Sequence, residues 1–324
     1  MRAAVTEGGT FTVTEVDDPT PGPGDLVLKV LAVGVCGSDV KTAGYMPDGT
    51  IMGHEFVGEV VAVGPDVTHW RLGTVAVSLP AAGCGQCPSC LVGDVARCVV
   101  ADPIGVGGRA GAYAELVRVS ARESWPFLGP DLRLGALVEP LAVGLHAVNR
   151  AGLTPDDSLL VIGAGPVGLT VATWAQRLGV GTIAVSDPSA GRRTAAAELG
   201  ATRTIDPTTE ELGGPYDVVV ECVGARGMVS QVVDALAHRG RGVIAGVCLE
   251  EDPFMPVVPV MKDVDLRFVS YYTTSEFATA ARLLGSGQID YGRFVTATRG
   301  LDDLAATVTE LRSPTNQRKV LIVP

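Results

Sequence analysis

The segment Val161-Ile162-Gly163-Ala164-Gly165-Pro166-Val167-Gly168 limits the fold more than any other part of the chain. It reads G-x-G-x-x-G, follows a short apolar run and opens a stretch of helical periodicity. Each glycine has its own use at that spacing. Gly163 permits a tight turn, Gly165 lets the backbone approach a pyrophosphate, and Gly168 lets the helix pack close to the strand. The helix start at Pro166 and Val167 presents free N–H groups and the positive end of the helix dipole to phosphates. The following strand ends in Ser186-Asp187, nineteen residues past Gly168, where an acid bonds the adenosine ribose hydroxyls. A carboxylate there repels a 2′-phosphate and favours NAD over NADP. Arg192 and Arg193 point the other way, and Arg192 is kept as a candidate cofactor contact. The plain alternative is a glycine-rich turn beside a helix-capping Asp.

The surrounding pattern agrees with a dinucleotide fold. Strands are expected at Ser158–Ile162, Thr182–Ser186, Asp217–Glu221 and 242–246. Helices are expected at Pro166–Leu178, Ala190–Leu199 and Val229–His238. Strands alternating with helices define a parallel sheet covered on both faces. The first third differs. Short Val-, Thr- and Leu-rich runs at Phe11–Val16, Leu26–Val33, Val57–Val63, Thr74–Ser78 and Tyr113–Val119 are separated by Gly and Pro clusters and read as β. A helix follows at about 134–150. After about Tyr271 the alternation stops, with helices near 276–284 and 302–311 and a last strand at Lys319–Val323.

Composition excludes several classes. The chain has 324 residues, with 47% hydrophobic and 19% charged, so neither disorder nor a fibrous repeat fits. Lys+Arg is 25 against Asp+Glu 36, a net charge of −11, which disfavours nucleic acid and anionic membranes as partners. The start of the chain has no apolar signal-type run, and a cytoplasmic location is expected.

Seven cysteines are present, and four fall within fifteen residues: Cys84, Cys87, Cys90 and Cys98, spaced C-x₂-C-x₂-C-x₇-C. Four thiolates at such spacing close a tetrahedral zinc site with no open position, a structural arrangement. The same residues also permit an iron–sulfur cluster or a disulfide pair. A second group is more dispersed: Cys36 within Gly34-Val35-Cys36-Gly37-Ser38-Asp39, His54 eighteen residues later with Glu55 beside it, and Glu139-Pro140. A Cys, a His and a carboxylate can make an open zinc site. By spacing alone they equally suit a buried thiol and solvated acids.

Taken together and in order, these motifs resemble the zinc-dependent medium-chain dehydrogenases, in the polyol (sorbitol-type) and butanediol dehydrogenase branch. The residues that carry the resemblance are 34–39, 53–55, the four-cysteine lobe, Glu139-Pro140-Leu141-Ala142-Val143 and 161–169. The resemblance implies an α/β protein with a discontinuous, mainly-β GroES-like catalytic domain (1–138 and 272–324) and a doubly wound Rossmann domain (139–271). It implies that Cys36 and His54 hold a catalytic zinc, with Glu55 at or near the metal and Glu139 holding it directly or through water. Ser38 would contact the substrate oxygen and start a proton relay, and Asp39 would fix the ligand loop or His54. The implied reaction is hydride transfer between a secondary alcohol or polyol and NAD in a homodimer or homotetramer. NADP use, an aminocyclitol or sugar-phosphate substrate, and a non-catalytic zinc-binding interaction protein are the competing readings. Many relatives carry a His where this chain has Lys41. The remaining histidines, His69, His146 and His238, read as turn, core and helix-end residues, and Cys222 and Cys248 as buried strand residues.

Overall fold

The computed structural model describes residues 1–313 and 315–324. Two compact units are present: Met1–Ala142 with Tyr272–Pro324, and Val143–Tyr271.

The first unit is built on Asp25–Gly34, whose almost unbroken apolar run Leu26-Val27-Leu28-Lys29-Val30-Leu31-Ala32-Val33 buries both faces, as a central strand requires. It pairs antiparallel with Glu55–Val63, with Leu116–Ser120 and with the tail strand Lys319–Val323. The sheet runs Val295–Gly300, Lys319–Val323, Asp25–Gly34, Glu55–Val63, Val75–Ser78, Ser124–Pro126. Two partners meet at Gly34: it lies opposite Glu55 in one strand and opposite Leu321 in the other. That register brings the start of the tail strand to the strand end preceding Cys36. Tyr113, fully buried in this core, stands edge-on to Phe11 with ring centroids 5.7 Å apart.

In the second unit six parallel strands lie in the order Arg203–Ile205, Thr182–Ser186, Ser158–Ile162, Tyr216–Glu221, Leu236–Ile244, Asp265–Phe268. The chain winds outward in one direction from Ser158–Ile162, then outward in the other from Tyr216–Glu221. The order therefore reverses between those two strands, and ligands of such sheets bind beyond the strand C-termini at that point.

Several expectations need adjusting. The helix expected at Val229–His238 is Met228–Ala235, and Leu236 already begins the next strand, so His238 is a strand residue. Tyr216 pairs Leu236 but Val218 pairs Arg241, so the intervening residues bulge out, with Arg239 in the left-handed region at φ 62°. The same strand stops at Ile244, which leaves Cys248 in a half-buried loop rather than in a strand. Arg2–Glu7, Arg203–Ile205 and Asp265–Phe268 are strands, and Val257–Lys262 is a helix, where no element was expected.

Candidate active site

The glycine loop has the geometry its spacing predicts. Gly163 sits at φ +98°, and a Cβ there would be 2.7 Å from Val223 Cγ2. A Cβ on Gly168 would strike the Gly163 carbonyl, so helix and strand could not approach as they do. A Cβ on Gly165 would meet no heavy atom within 4 Å, so backbone at this residue is open to a ligand. Gly165 caps the Pro166–Leu178 helix, and Pro166 and Val167 form its first turn. Asp187 is buried at the end of the neighbouring strand. Its Oδ2 accepts the Ala164 N–H at 2.9 Å and its Oδ1 accepts the Ser189 N–H at 2.8 Å, which fixes the carboxylate against the loop. Arg192 Nη1 is 3.8 Å from Asp187 Oδ2, and its Nε is buried without a hydrogen-bond partner. Arg193 is committed elsewhere, to the Asp187 and Pro188 carbonyls and to Asp206 at 2.9 Å.

The four cysteines converge. Their Sγ atoms all lie within 4.8 Å of one another, with Cys84 and Cys90 4.0 Å apart, and all are free. Zn–S bonds of about 2.3 Å at tetrahedral angles place sulfurs about 3.8 Å apart, so the set fits zinc. Main-chain N–H groups of Gln86 and Cys87 lower the Cys84 thiol to about 6. Burial, the largest influence on Cys90, instead pushes that thiol up to about 12. A metal would therefore have to displace a proton from Cys90.

The dispersed group also assembles. Cys36, His54 and Glu55 bring Sγ, a ring nitrogen and a carboxylate oxygen within 4.8 Å of one another. Cys36 caps the short helix Gly37–Thr42, and Glu55 begins the strand beside it. Asp39, fully buried in that helix, organises the cluster. It accepts the Cys36 N–H at 3.1 Å and the Tyr113 hydroxyl at 2.6 Å, and its Oδ1 faces His54 Nδ1 at 3.4 Å. Burial opposes ionisation of Asp39, but His54, Tyr113 and the Cys36 N–H outweigh it and hold the carboxyl below its usual range. Nδ1 faces Asp39 without a formed hydrogen bond, so Nε2 is the nitrogen this ring would offer a metal, with Asp39 orienting it. These donors fit an open zinc site.

One feature of the cluster was not visible in the sequence. Lys319, 264 residues from Glu55, is fully buried, and its Nζ donates to both Glu55 oxygens at 2.7 and 2.6 Å and to the Val35 carbonyl at 3.1 Å. Gly34 makes room for that pair, because a Cβ there would collide with Glu55 Oε2. Glu139 lies outside the three-donor set, in the first turn of the helix Val138–Ala151, yet it is part of the same electrostatic unit. Burial, with Glu55 adding to it, pushes its carboxyl up to about 7 against the pull of His54, Tyr272 and Lys319. Ser38 is half-buried in the first turn of the Cys36 helix, and Lys41 is in its last.

Comparison with known proteins places the chain. The alcohol dehydrogenase GroES-like domain matches residues 22–129, and the zinc-binding dehydrogenase domain matches 166–286. The fold and donor sets thus define a two-unit zinc oxidoreductase of the polyol dehydrogenase branch. The chain belongs to the zinc-binding medium-chain dehydrogenase family. It is 29% identical to L-galactonate-5-dehydrogenase of Escherichia coli over 94% of this chain and 92% of that one. It is 28% identical to the sorbitol dehydrogenase of Bacillus subtilis over 100% and 97%. A Sinorhizobium meliloti structure described as a zinc-binding dehydrogenase, bound to NADP, superposes with TM-score 0.90 at 30% identity, covering 100% of this chain and 99% of that one. Among the described residues no helix is long and apolar enough to cross a membrane.

Lys319→Met should destabilise the metal-free protein by about 3–5 kcal/mol in denaturant unfolding, because Glu55 is left buried without its counter-ion. Lys319→Arg, which keeps the charge, should lose less; equal losses would show that packing rather than charge accounts for the effect.

Proposed function

We propose that the protein is a zinc-dependent dehydrogenase that moves a hydride between the CH–OH carbon of a secondary alcohol or polyol and NAD. The convergence of Cys36, His54 and Glu55 within 4.8 Å, with His54 held by buried Asp39, carries this reading. Bound at those donors, zinc would supply Lewis acidity to an alcohol oxygen, and a nicotinamide dinucleotide would supply the hydride-accepting carbon. Cys36 Sγ and His54 Nε2 would hold the ion with a carboxylate from Glu55 or Glu139. Asp39 keeps the His54 ring in its ligating orientation, and Lys319 offsets the charge of Glu55. Ser38 Oγ would take the proton that leaves the substrate hydroxyl. Cys84, Cys87, Cys90 and Cys98 would hold a second, structural zinc that closes their lobe. Relatives named for sorbitol and L-galactonate support a polyol or sugar acid as the substrate class. The seven free thiols suit the cytosol.

NAD is favoured by the Asp187 carboxylate, held by the Ala164 N–H of the glycine loop and by the Ser189 N–H of its own turn. Arg192 and the NADP-bound relative support the opposite preference. We further place a second copy of the chain at the sheet edge Asp265–Phe268, in a homodimer or homotetramer. Phe268 is 66% exposed there, and the helix Val257–Lys262 buries none of its residues, leaving Val260 and Met261 more than 70% exposed. An exposed apolar edge of this kind is an association surface.

Metal analysis should give about two zincs per chain. Cys36→Ser should abolish alcohol oxidation and retain dinucleotide binding; normal kcat in that variant would end the catalytic-zinc reading. Asp187→Ala should weaken NAD far more than NADP in parallel titrations, and equal losses would remove the assignment of Asp187 to cofactor choice. Phe268→Asp should lower the molecular mass in sedimentation. An unchanged mass, or a wild type already monomeric, would move the contact elsewhere or abolish it.

A further inference from the structure

The clearest buried acid that the mechanism above does not use is Glu221. It ends the strand Tyr216–Glu221, next to the strand that feeds the glycine loop, and is 1% exposed. In register Glu221 lies beside Ile162 on one side and Ile244 on the other, so three strands end at one level. The loops after them carry Gly163, Val223-Gly224 and Gly246-Val247.

Glu221 ties two of these loops together with both its main chain and its side chain. Its carbonyl accepts the Ala245 and Gly246 N–H groups at 2.9 and 3.1 Å. Its carboxylate Oε1 accepts the Val223 and Gly224 N–H groups at 2.5 and 2.7 Å. A side-chain oxygen shared by consecutive N–H groups is a directional clamp. The fit around it is close. A Cβ on Gly246 would be 2.6 Å from Glu221 Oε2 and would collide with Gly224 N. Gly224, at φ +64°, could carry no Cβ without striking the Val247 backbone. The turn so fixed puts Val223, 40% exposed, against the site where Gly163 has no Cβ. A side chain is thereby set beside the first glycine of the loop, at the reversal point of the sheet.

We propose that Glu221 is a positioning residue of the dinucleotide site: through the Val223 and Gly224 N–H groups its carboxylate sets the loop that walls the cofactor beside Gly163. This rests on reading the glycine loop as a dinucleotide site. The acid touches no cofactor itself and acts only by holding the turn.

The test titrates the zinc-loaded protein with NADH and NADPH by calorimetry, with circular dichroism and zinc content as controls. Glu221→Ala should weaken the preferred dinucleotide at least about tenfold, about 1.4 kcal/mol, with zinc content unchanged. Glu221→Gln, whose amide oxygen accepts the same two N–H groups, should recover most of that affinity. A Glu221→Ala protein that binds within twofold of wild type overturns the proposal, as does a Gln variant no better than Ala. Should the Ala variant not fold, Glu221→Asp is read instead: it keeps the charge but falls short of the turn, and wild-type affinity there overturns the proposal. Gly165→Val separates the two inferences. Lost binding in that variant with normal binding in the Glu221 variants removes only the role of Glu221, whereas normal binding in Gly165→Val removes the dinucleotide site itself.

Discussion

Burial of negative charge beside a set of metal-type donors is the constraint on which the first unit depends. Asp39, Glu55 and Glu139 are all buried: Glu55 stands with Cys36 and His54 in one donor set, Asp39 contacts both of those residues, and Glu139 is coupled to the set electrostatically. Isolated buried carboxylates are costly, so each must have a partner. Asp39 has the Cys36 N–H, the Tyr113 hydroxyl and His54. Glu55 has the Lys319 ammonium on both oxygens. Glu139, with neighbours of both signs, meets the constraint differently, by holding its proton up to about 7. Much of the unit follows from this. Gly34 has to lack a side chain, Tyr113 has to be buried, and the tail strand has to join the sheet beside Asp25–Gly34 so that Lys319 reaches its partner. A divalent cation among the donors would add the positive charge that one lysine cannot supply.

How much of this the sequence reveals depends on how local each requirement is. The glycine loop is legible because the demands on Gly163 and Gly168 arise within a few residues of themselves. The four-cysteine lobe is legible for the same reason, since Cys84 to Cys98 closes on itself within one loop. Cys36, His54 and Glu55 are weak as a spacing pattern, because three-dimensional pairing of Gly34 with Glu55 brings them together; the family resemblance supplied what spacing could not. Lys319 was invisible. It begins a strand of ordinary appearance, and its partner is 264 residues away. The helix expected through His238 stops at Ala235 because Leu236 is already extended and pairs with Tyr216, and apolar periodicity registers neither that pairing nor the bulge that follows at Arg239.

The two cysteine-containing sites show why one metal set would be structural and the other reactive. Four sulfurs in a single loop fill a tetrahedron and leave no vacancy. Cys36, His54 and Glu55 come from a helix cap, a loop and a strand start, and Glu55 already gives both oxygens to Lys319. An ion there would have weaker oxygen ligation than sulfur ligation, and so would keep more of its charge for an incoming oxygen. The lysine would thus bear on reactivity as well as on stability. By occupying Glu55, it would limit how far that carboxylate could neutralise a bound metal.

The second unit follows a different logic, because its functional groups are mostly backbone. Ile162, Ser186, Glu221 and Ile244 end neighbouring strands at one level, and the loops beyond them meet where the strand order reverses. Side chains there serve mainly to fix main-chain geometry: Asp187 holds the Ala164 N–H, and Glu221 holds those of Val223 and Gly224. Both are buried acids at strand ends, but they belong to the two different strands that flank the glycine-loop strand. Asp187 lies on the side where an adenosine ribose would be expected, whereas Glu221 holds the turn on the other side of Gly163. Cofactor selectivity would then be set at the first acid, and the shape of the pocket wall at the second.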